Sequence, residues 1–161
     1  MKYTVNIIPA SEEHIEAACE IAIRAWTPIR AAFRERLGDE LYEAHFDGWQ
    51  ASKRAGVAKL LRGGNGYVAM IDDRIVGFVG YHLNYDLKSG EISGNAVDPD
   101  CRGMGIGPQM YEFVLAKMKE AGMLYATVNT GLDDGHIPAR RAYEKVGFEA
   151  NLPSVRYFKK L

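Results

Sequence analysis

The sequence predicts a mixed α/β domain, a central sheet with helices packed on its faces. Three observations predict it. Short β-branched runs alternate along the chain with apolar stripes at helical spacing. Their order reads βα(α)βββαβαβ, which a sheet flanked by helices accommodates most simply. The 161 residues, 47% hydrophobic and 25% charged, suit one ordinary core, and no linker, repeat or low-complexity segment divides them. A single domain over residues 1–161 is the expectation.

Residues 2–8 alternate loosely and are rich in β-branched side chains, a strand that Pro9 ends. Ser11 then caps a helix whose first turn carries Glu12 and Glu13, the favourable charge at that end. Ile15, Ala18, Cys19, Ala22, Ile23 and Trp26 form its apolar stripe. Thr27-Pro28 reads as a fresh cap with proline at the first helical position. Residues 29–61 are helical in composition but punctuated by Gly38, Gly48 and Gly56, so two or three short helices are expected. Arg62-Gly63-Gly64-Asn65-Gly66 is a loop; with no Gly-Lys-Ser/Thr after it and a strand following, it reads as a turn rather than a phosphate cradle. Residues 67–71 and 74–83 form a hairpin about Asp72-Asp73, and residues 91–97 form the next strand. Tyr111, Val114, Leu115 and Met118 mark a helix ending near Gly122. Residues 124–129 are a strand, 138–146 a helix and 154–158 a last strand.

Composition narrows the function. No apolar run approaches the ~18 residues of a membrane span, and the N-terminus lacks the basic head and apolar core of a signal peptide. A cytoplasmic location without a membrane partner is the default expectation. A net charge of −1 gives a nucleic-acid partner no electrostatic support. Cys19 and Cys101 read as free thiols. His14, His45, His82 and His136 are scattered, none with a His or Cys partner at ligand spacing, so no metal site is expected.

The chemistry concentrates in Asp98-Pro99-Asp100-Cys101-Arg102-Gly103-Met104-Gly105-Ile106-Gly107-Pro108. A strand, a glycine turn and a helix N-terminus make an anion site. The first helical turn leaves N–H groups without internal partners, the macrodipole adds positive potential, and glycine lets the backbone approach a phosphate. Residues 102–107 therefore read as a pyrophosphate cradle with Arg102 at its rim. A dinucleotide site needs Gly-x-Gly-x-x-Gly. Here the spacing is Gly103-x-Gly105-x-Gly107, and the loop sits too late in the chain for the remaining βαβ units.

Residues 97–107 resemble the acetyl-CoA motif of the GNAT superfamily of N-acetyltransferases, Arg/Gln-x-x-Gly-x-Gly/Ala. Downstream, Pro138-Ala139-Arg140-Arg141-Ala142-Tyr143-Glu144-Lys145-Val146-Gly147-Phe148 is similar to that family's second signature, Asn-x-x-Ala-x-x-x-Tyr-x-x-x-Gly-Phe. The resemblance extends over essentially the whole chain. It implies a central, mostly antiparallel twisted sheet of about seven strands with helices on both faces. It also implies acetyl-CoA as acyl donor, a primary amine of a small molecule or peptide as acceptor, and a homodimer as a common assembly. His136 stands where the family usually has asparagine, and Pro108 removes one N–H from the cradle.

Acyl transfer from a thioester to an amine requires removal of an amine proton, a donor to the oxyanion and a proton for the departing thiolate. The resemblance places Tyr143 beside the thioester sulfur as the acid, its reference pKa of about 10 being near that of an alkyl thiol. It makes Glu91, at the start of the strand leading into the loop, the candidate base. It pairs the backbone of Ala96 and Val97 with the pantetheine amides, across a splay from residues 124–129. Gly103, Met104, Gly105, Ile106 and Gly107 with Arg102 hold the diphosphate, and Asn129 and His136 line the slot. Arg140 and Arg141 read as a solvated face. Trp26 and Phe33 are the candidate acceptor residues. The acidic excess of Glu35, Asp39, Glu40, Glu43 and Asp47 over Arg34 and Arg36 suits a cationic amine, and equally an ordinary helix surface. A non-catalytic acyl-CoA sensor is the alternative, set apart by binding without turnover on any amine.

Overall fold

The computed structural model describes residues 4–161. Its sheet has five strands in the order β1-β2-β3-β4-β5: β1 (Asn6–Pro9), β2 (Gly66–Ile71), β3 (Arg74–Asn84), β4 (Ser89–Val97) and β5 (Tyr125–Val128). The first four pair antiparallel, and β5 joins β4 in parallel. The α-helices are α1 (Glu12–Leu37), α2 (Asp39–Phe46), α3 (Trp49–Arg62), α4 (Ile106–Glu120) and α5 (Ile137–Lys145). The strand reading of Lys2 and Tyr3 lies outside the described residues.

Alternation along the strands divides the core into two layers. Val68, Phe78 and Ala96 face α1 and α3, packing with Ala18, Ala22, Val57 and Leu61. Ala69, Val79 and Ile92 face α4 and α5, packing with Ile106, Met110, Val114, Met118 and Tyr143. The expected two-faced arrangement is therefore present. The helix breaks fall at Gly38 and Gly48, both at positive φ (77° and 69°), whereas Gly56 lies inside α3. At the start of α1 the Ser11 N–H donates to His14 Nδ1 at 3.1 Å.

Three expectations need correction. Pro28 does not begin a helix; α1 runs through it without interruption. The apolar stripe continues across the proline, with Ala25 and Ile29 both buried, and their burial holds the two halves in one helix despite the missing N–H. Residues 154–158 form no strand. Their alternation is not matched by burial, since Val155 and Tyr157 are exposed; Phe158 instead packs edge-on against His45 at 4.9 Å and Lys160 pairs with Glu40. The described sheet accordingly has five strands rather than about seven. Lastly, Pro108 is the third residue of α4, not the first. It still lies in the first turn, where an N–H has no internal acceptor.

One buried carboxylate ties the layers together where β4 ends. Asp98 is 3% exposed. It accepts from the Asp100 N–H at 3.0 Å, from Arg24 of α1 at 3.0 Å and from Arg74 of β3 at 2.6 Å. Burial alone would raise its pKa, but these donors outweigh it and hold the carboxyl below its usual range. A group lowered in this way stabilises the fold above its unfolded value of about 4 and loses that contribution as pH falls through the folded value. Asp98→Ala should therefore cost about 1.5–3 kcal/mol at pH 7, the range for hydrogen bonds to a charged group. Denaturant unfolding at pH 7 and at pH 2.5 checks this: the gap between the two proteins should shrink at the lower pH.

Candidate functional site

The site begins where β4 and β5 separate. β4 pairs with β3 along nearly its whole length, from Ser89 to Val97. It pairs with β5 only from Ser89 to Ile92, the last partners being Ile92 and Val128. Two local features cause the parting. The β3–β4 register shifts between Val79 and Tyr81, opposite Ser93 and Gly94, and such an irregularity bends a strand. After Val128 the chain turns into a loop held by Arg140, which donates to the carbonyls of Gly131 (2.7 Å) and Asp133 (3.0 Å). The edge of β4 from Asn95 to Val97 is left without a strand partner and lines a cleft of about 1290 Å³.

At the end of β4 the chain makes a short 3-10 turn and enters the glycine loop. Gly103 and Gly105 sit at φ 78° and 76° with open space where a Cβ would be, so it is the backbone conformation that requires them. Gly107 differs. It is buried in the first turn of α4, and a Cβ there would meet Ala142 of α5 at an ordinary 3.7 Å. Among the described residues, residues 102–107 donate no backbone hydrogen bond outside the regular elements, although Arg102 and Gly103 lie in a turn. Residues of the loop and the start of a 15-residue helix thus border the cleft together. Arg102, Gly103, Gly105, Ile106 and Gly107 line it, whereas the side chain of Met104 packs against the core.

Beyond the loop, α5 brings Tyr143 against the uncovered edge of β4. Asn95 Nδ2 donates to Tyr143 Oη at 2.9 Å, and the Tyr111 hydroxyl donates to Asn95 Oδ1 at 2.7 Å. The two tyrosine rings pack 4.7 Å apart. Burial raises the Tyr143 pKa, with Asn95 and Tyr111 pulling it part of the way back; burial likewise pushes Tyr111 well up. Both phenols are protonated at neutral pH. Because Asn95 donates into Tyr143 Oη, the phenol's own proton is left to point elsewhere. Neither Asn95 nor the part played by Tyr111 was read from the sequence. The available signal was a polar residue inside an otherwise apolar strand end.

The other sequence candidates take the following places. Ala96, Val97 and Asn129 line the cleft. So does His136, whose Nδ1 lies 2.7 Å from Asp133 Oδ1; among the described residues Nε2 has no hydrogen-bond partner. Glu91 pairs across to His82 of β3; it is exposed and outside the cleft lining. Trp26 lines the cleft with Lys53 Nζ 3.8 Å above its ring. Phe33 does not; it packs on Phe46 at 6.0 Å. Arg141 lines the cleft, while Arg140 is committed to the loop before α5. The acidic excess on α2 is largely absorbed by ion pairs, Asp39 and Glu43 with Arg34 and Glu40 with Lys160.

The two kinds of glycine separate in a stability test. Gly103→Ala forces a side chain into the left-handed region and should cost about 1–2 kcal/mol. Gly107→Ala, unstrained and helical, should be neutral or stabilising by up to about 1 kcal/mol. Thermal melts of the two variants without ligand should move in opposite directions or, for Gly107→Ala, not at all.

Comparison with known proteins follows the same architecture. The model of the acetyltransferase (GNAT) family matches residues 18–148. No curated protein matches the chain in sequence. Among solved structures, the PaiA N-acetyltransferase from Thermoplasma acidophilum in complex with coenzyme A superposes with a TM-score of 0.70 at 18% identity, over 92% of this chain and 92% of that one. The aminoglycoside N-acetyltransferase AAC(6')-Iy in complex with CoA gives 0.64 at 17% identity, over 98% and 96%. A ribosomal-protein-alanine N-acetyltransferase from Brucella melitensis biovar Abortus 2308 gives 0.58 at 18% identity, over 98% and 100%.

Proposed function

The chain belongs to the acetyltransferase (GNAT) family, and from that premise we propose that it transfers an acetyl group from acetyl-CoA to a primary amine of a small molecule or a peptide. The observation that carries this reading is the convergence of three features on one cleft. These are the edge of β4 that β5 leaves unpaired, the glycine loop of residues 102–107 at the start of α4, and the buried Tyr143.

Each feature meets a different part of the donor. The loop amides and the positive end of α4 suit a diphosphate, with Arg102, Arg141 and Lys145 lining the cleft beside them. The edge of β4 at Ala96 and Val97 offers backbone groups that an extended pantetheine arm can pair with as an added strand. Two smaller groups, Asn129 and His136, line the slot on its opposite side.

In the transfer, the amine nitrogen forms a bond to the thioester carbonyl carbon and the carbon–sulfur bond breaks. The proton lost by the amine passes to water relayed to Glu91, whose exposed position outside the cleft lining suits only an indirect role. Tyr143 returns a proton to the departing sulfur. Its raised pKa keeps it protonated and its hydrogen bond from Asn95 fixes the oxygen in place.

Two variants test the reading. Gly105→Glu puts a negative side chain at the helix start and should weaken coenzyme A at least about tenfold by calorimetry. Unchanged affinity would remove the cradle. Tyr143→Phe should lower kcat by at least about a hundredfold, the lower limit for a general acid, with the KM for acetyl-CoA little altered. Free-thiol release reads both constants. In the unsubstituted protein, the kcat profile should show no loss from deprotonation of this acid below about pH 10. Coenzyme binding without turnover of any amine would favour the sensor role instead.

A further inference from the structure

One wall of the cleft is built from α1 and α3, which pack antiparallel: Arg62 reaches Glu12, Arg54 reaches Glu16, Lys53 covers Trp26, and Arg30 lies over Trp49. Arg30 and Lys53 both line the cleft here. The Arg30 guanidinium lies 4.7 Å from the centre of the Phe46 ring, 5.5 Å from Trp49 and 5.6 Å from Phe33. Its Nε is buried and has no hydrogen-bond partner among the described residues. Among the described residues neither Arg30 nor Lys53 has an ion pair with an acid, whereas Arg24, Arg34, Arg54 and Arg62 all do.

This is an expensive arrangement to leave unanswered. Two like charges share a partly apolar wall, and aromatic faces replace only part of the lost hydration. Burial, with the Arg30 charge adding to it, pulls Lys53 down to a pKa of about 8, so at neutral pH the pair is still mostly cationic. Among the described residues the one acid lining the cleft is the exposed Asp47. A cationic tail on the acceptor would therefore meet repulsion from Arg30 and Lys53.

We propose that Arg30 and Lys53 bind a carboxylate on the acceptor, so that the acceptor is an amino carboxylate with an apolar or aromatic flank rather than a polyamine. The proposal rests on the acetyltransferase reading for the identity of the reacting amine, but not for the anion site itself. The planar guanidinium of Arg30, without an acid among the described residues, suits a carboxylate through its terminal nitrogens, and Lys53 adds a second charge. Trp26, Ile29, Phe46 and Trp49 line the same region and supply the apolar flank. The reach is suitable. Lys53 and Leu60 are two helical turns apart, roughly 10 Å along α3, and Leu60 lies directly over Gly94 of β4, next to Asn95. An acceptor anchored at Arg30 and Lys53 thus spans toward the uncovered edge of β4, where the thioester is proposed to lie.

The test compares phenylalanine, methionine and 4-aminobutyrate, each with its carboxamide, and adds spermidine. Thiol release from acetyl-CoA reports turnover, and calorimetry reports binding of the same compounds. In at least one pair the carboxylate should be favoured by about ten- to a hundredfold in kcat/KM, the range of a charge-assisted hydrogen bond. Arg30→Gln should collapse that ratio toward one, and Lys53→Met, which removes charge from a different helix, should reduce it as well. Turnover with no carboxylate preference, or with spermidine preferred, would overturn the anion site and leave the acetyltransferase reading standing. Selective carboxylate binding without turnover of any amine would support the anion site and overturn that reading. Neither binding nor turnover would overturn both.

Discussion

The site depends on a pairing that the sheet does not complete. β4 keeps β3 beside it nearly to Val97 but loses β5 after Ile92. Had β5 continued alongside, the backbone of Asn95, Ala96 and Val97 would be consumed in a ladder and no slot would exist. A strand end left open in this way exposes polar groups that need partners. The rest of the architecture is arranged around that opening. α5 fills its deep end with Tyr143, α4 begins at its mouth, and α1 and α3 cover it from the other face of the sheet. Asp98 sits just past the open edge and fixes it to α1 and β3 through Arg24 and Arg74. The carboxylate thereby sets the direction in which the chain enters the glycine loop.

Charge is distributed unevenly for a chain with a net value of −1. Arg102, Arg141 and Lys145 line the cleft at the loop and α5, Arg30 and Lys53 line it at the α1–α3 wall, and Asp47 is the acid among them. The compensating acids lie elsewhere, many of them in surface pairs such as Glu12 with Arg62 and Glu16 with Arg54. Bulk charge therefore conceals a basic interior groove. The same cleft holds the neutral relay of Tyr111, Asn95 and Tyr143, where burial keeps both phenols protonated. A neutral hydrogen-bond donor in a basic groove suits a reaction in which anionic groups on donor and acceptor are held apart while a proton moves locally.

How much of this was legible in the sequence depended on how local the signal was. The glycine loop was readable because positive φ at Gly103 and Gly105 restricts residue choice position by position. Gly107 was grouped with them by spacing, but it is a helical residue whose added Cβ would meet Ala142 of α5 at an ordinary 3.7 Å, so neither backbone nor packing demands glycine there. The helix breaks at Gly38 and Gly48 were readable for the same local reason. Pro28 misled because a proline's local preference was overridden by a stripe of burial running past it. Residues 154–158 misled because alternation describes a strand only if a sheet edge receives it; here Phe158 is taken up by α2 instead. Asn95 and Arg30 could not be found from pattern alone. One is defined by two tyrosines elsewhere in the chain, the other by having no ion pair with an acid among the described residues.

On the function proposed above, the amides of residues 102–107 and the unpaired edge of β4 hold one ligand together. Amide chemical shifts of nitrogen-15-labelled protein, followed during titration with coenzyme A, test it most directly. The account predicts that Gly103, Gly105, Gly107, Ala96 and Val97 move along one saturation curve, while amides of β1 and β2 stay in place. Saturation with those five amides unmoved, and the changes confined to another surface, would contradict it.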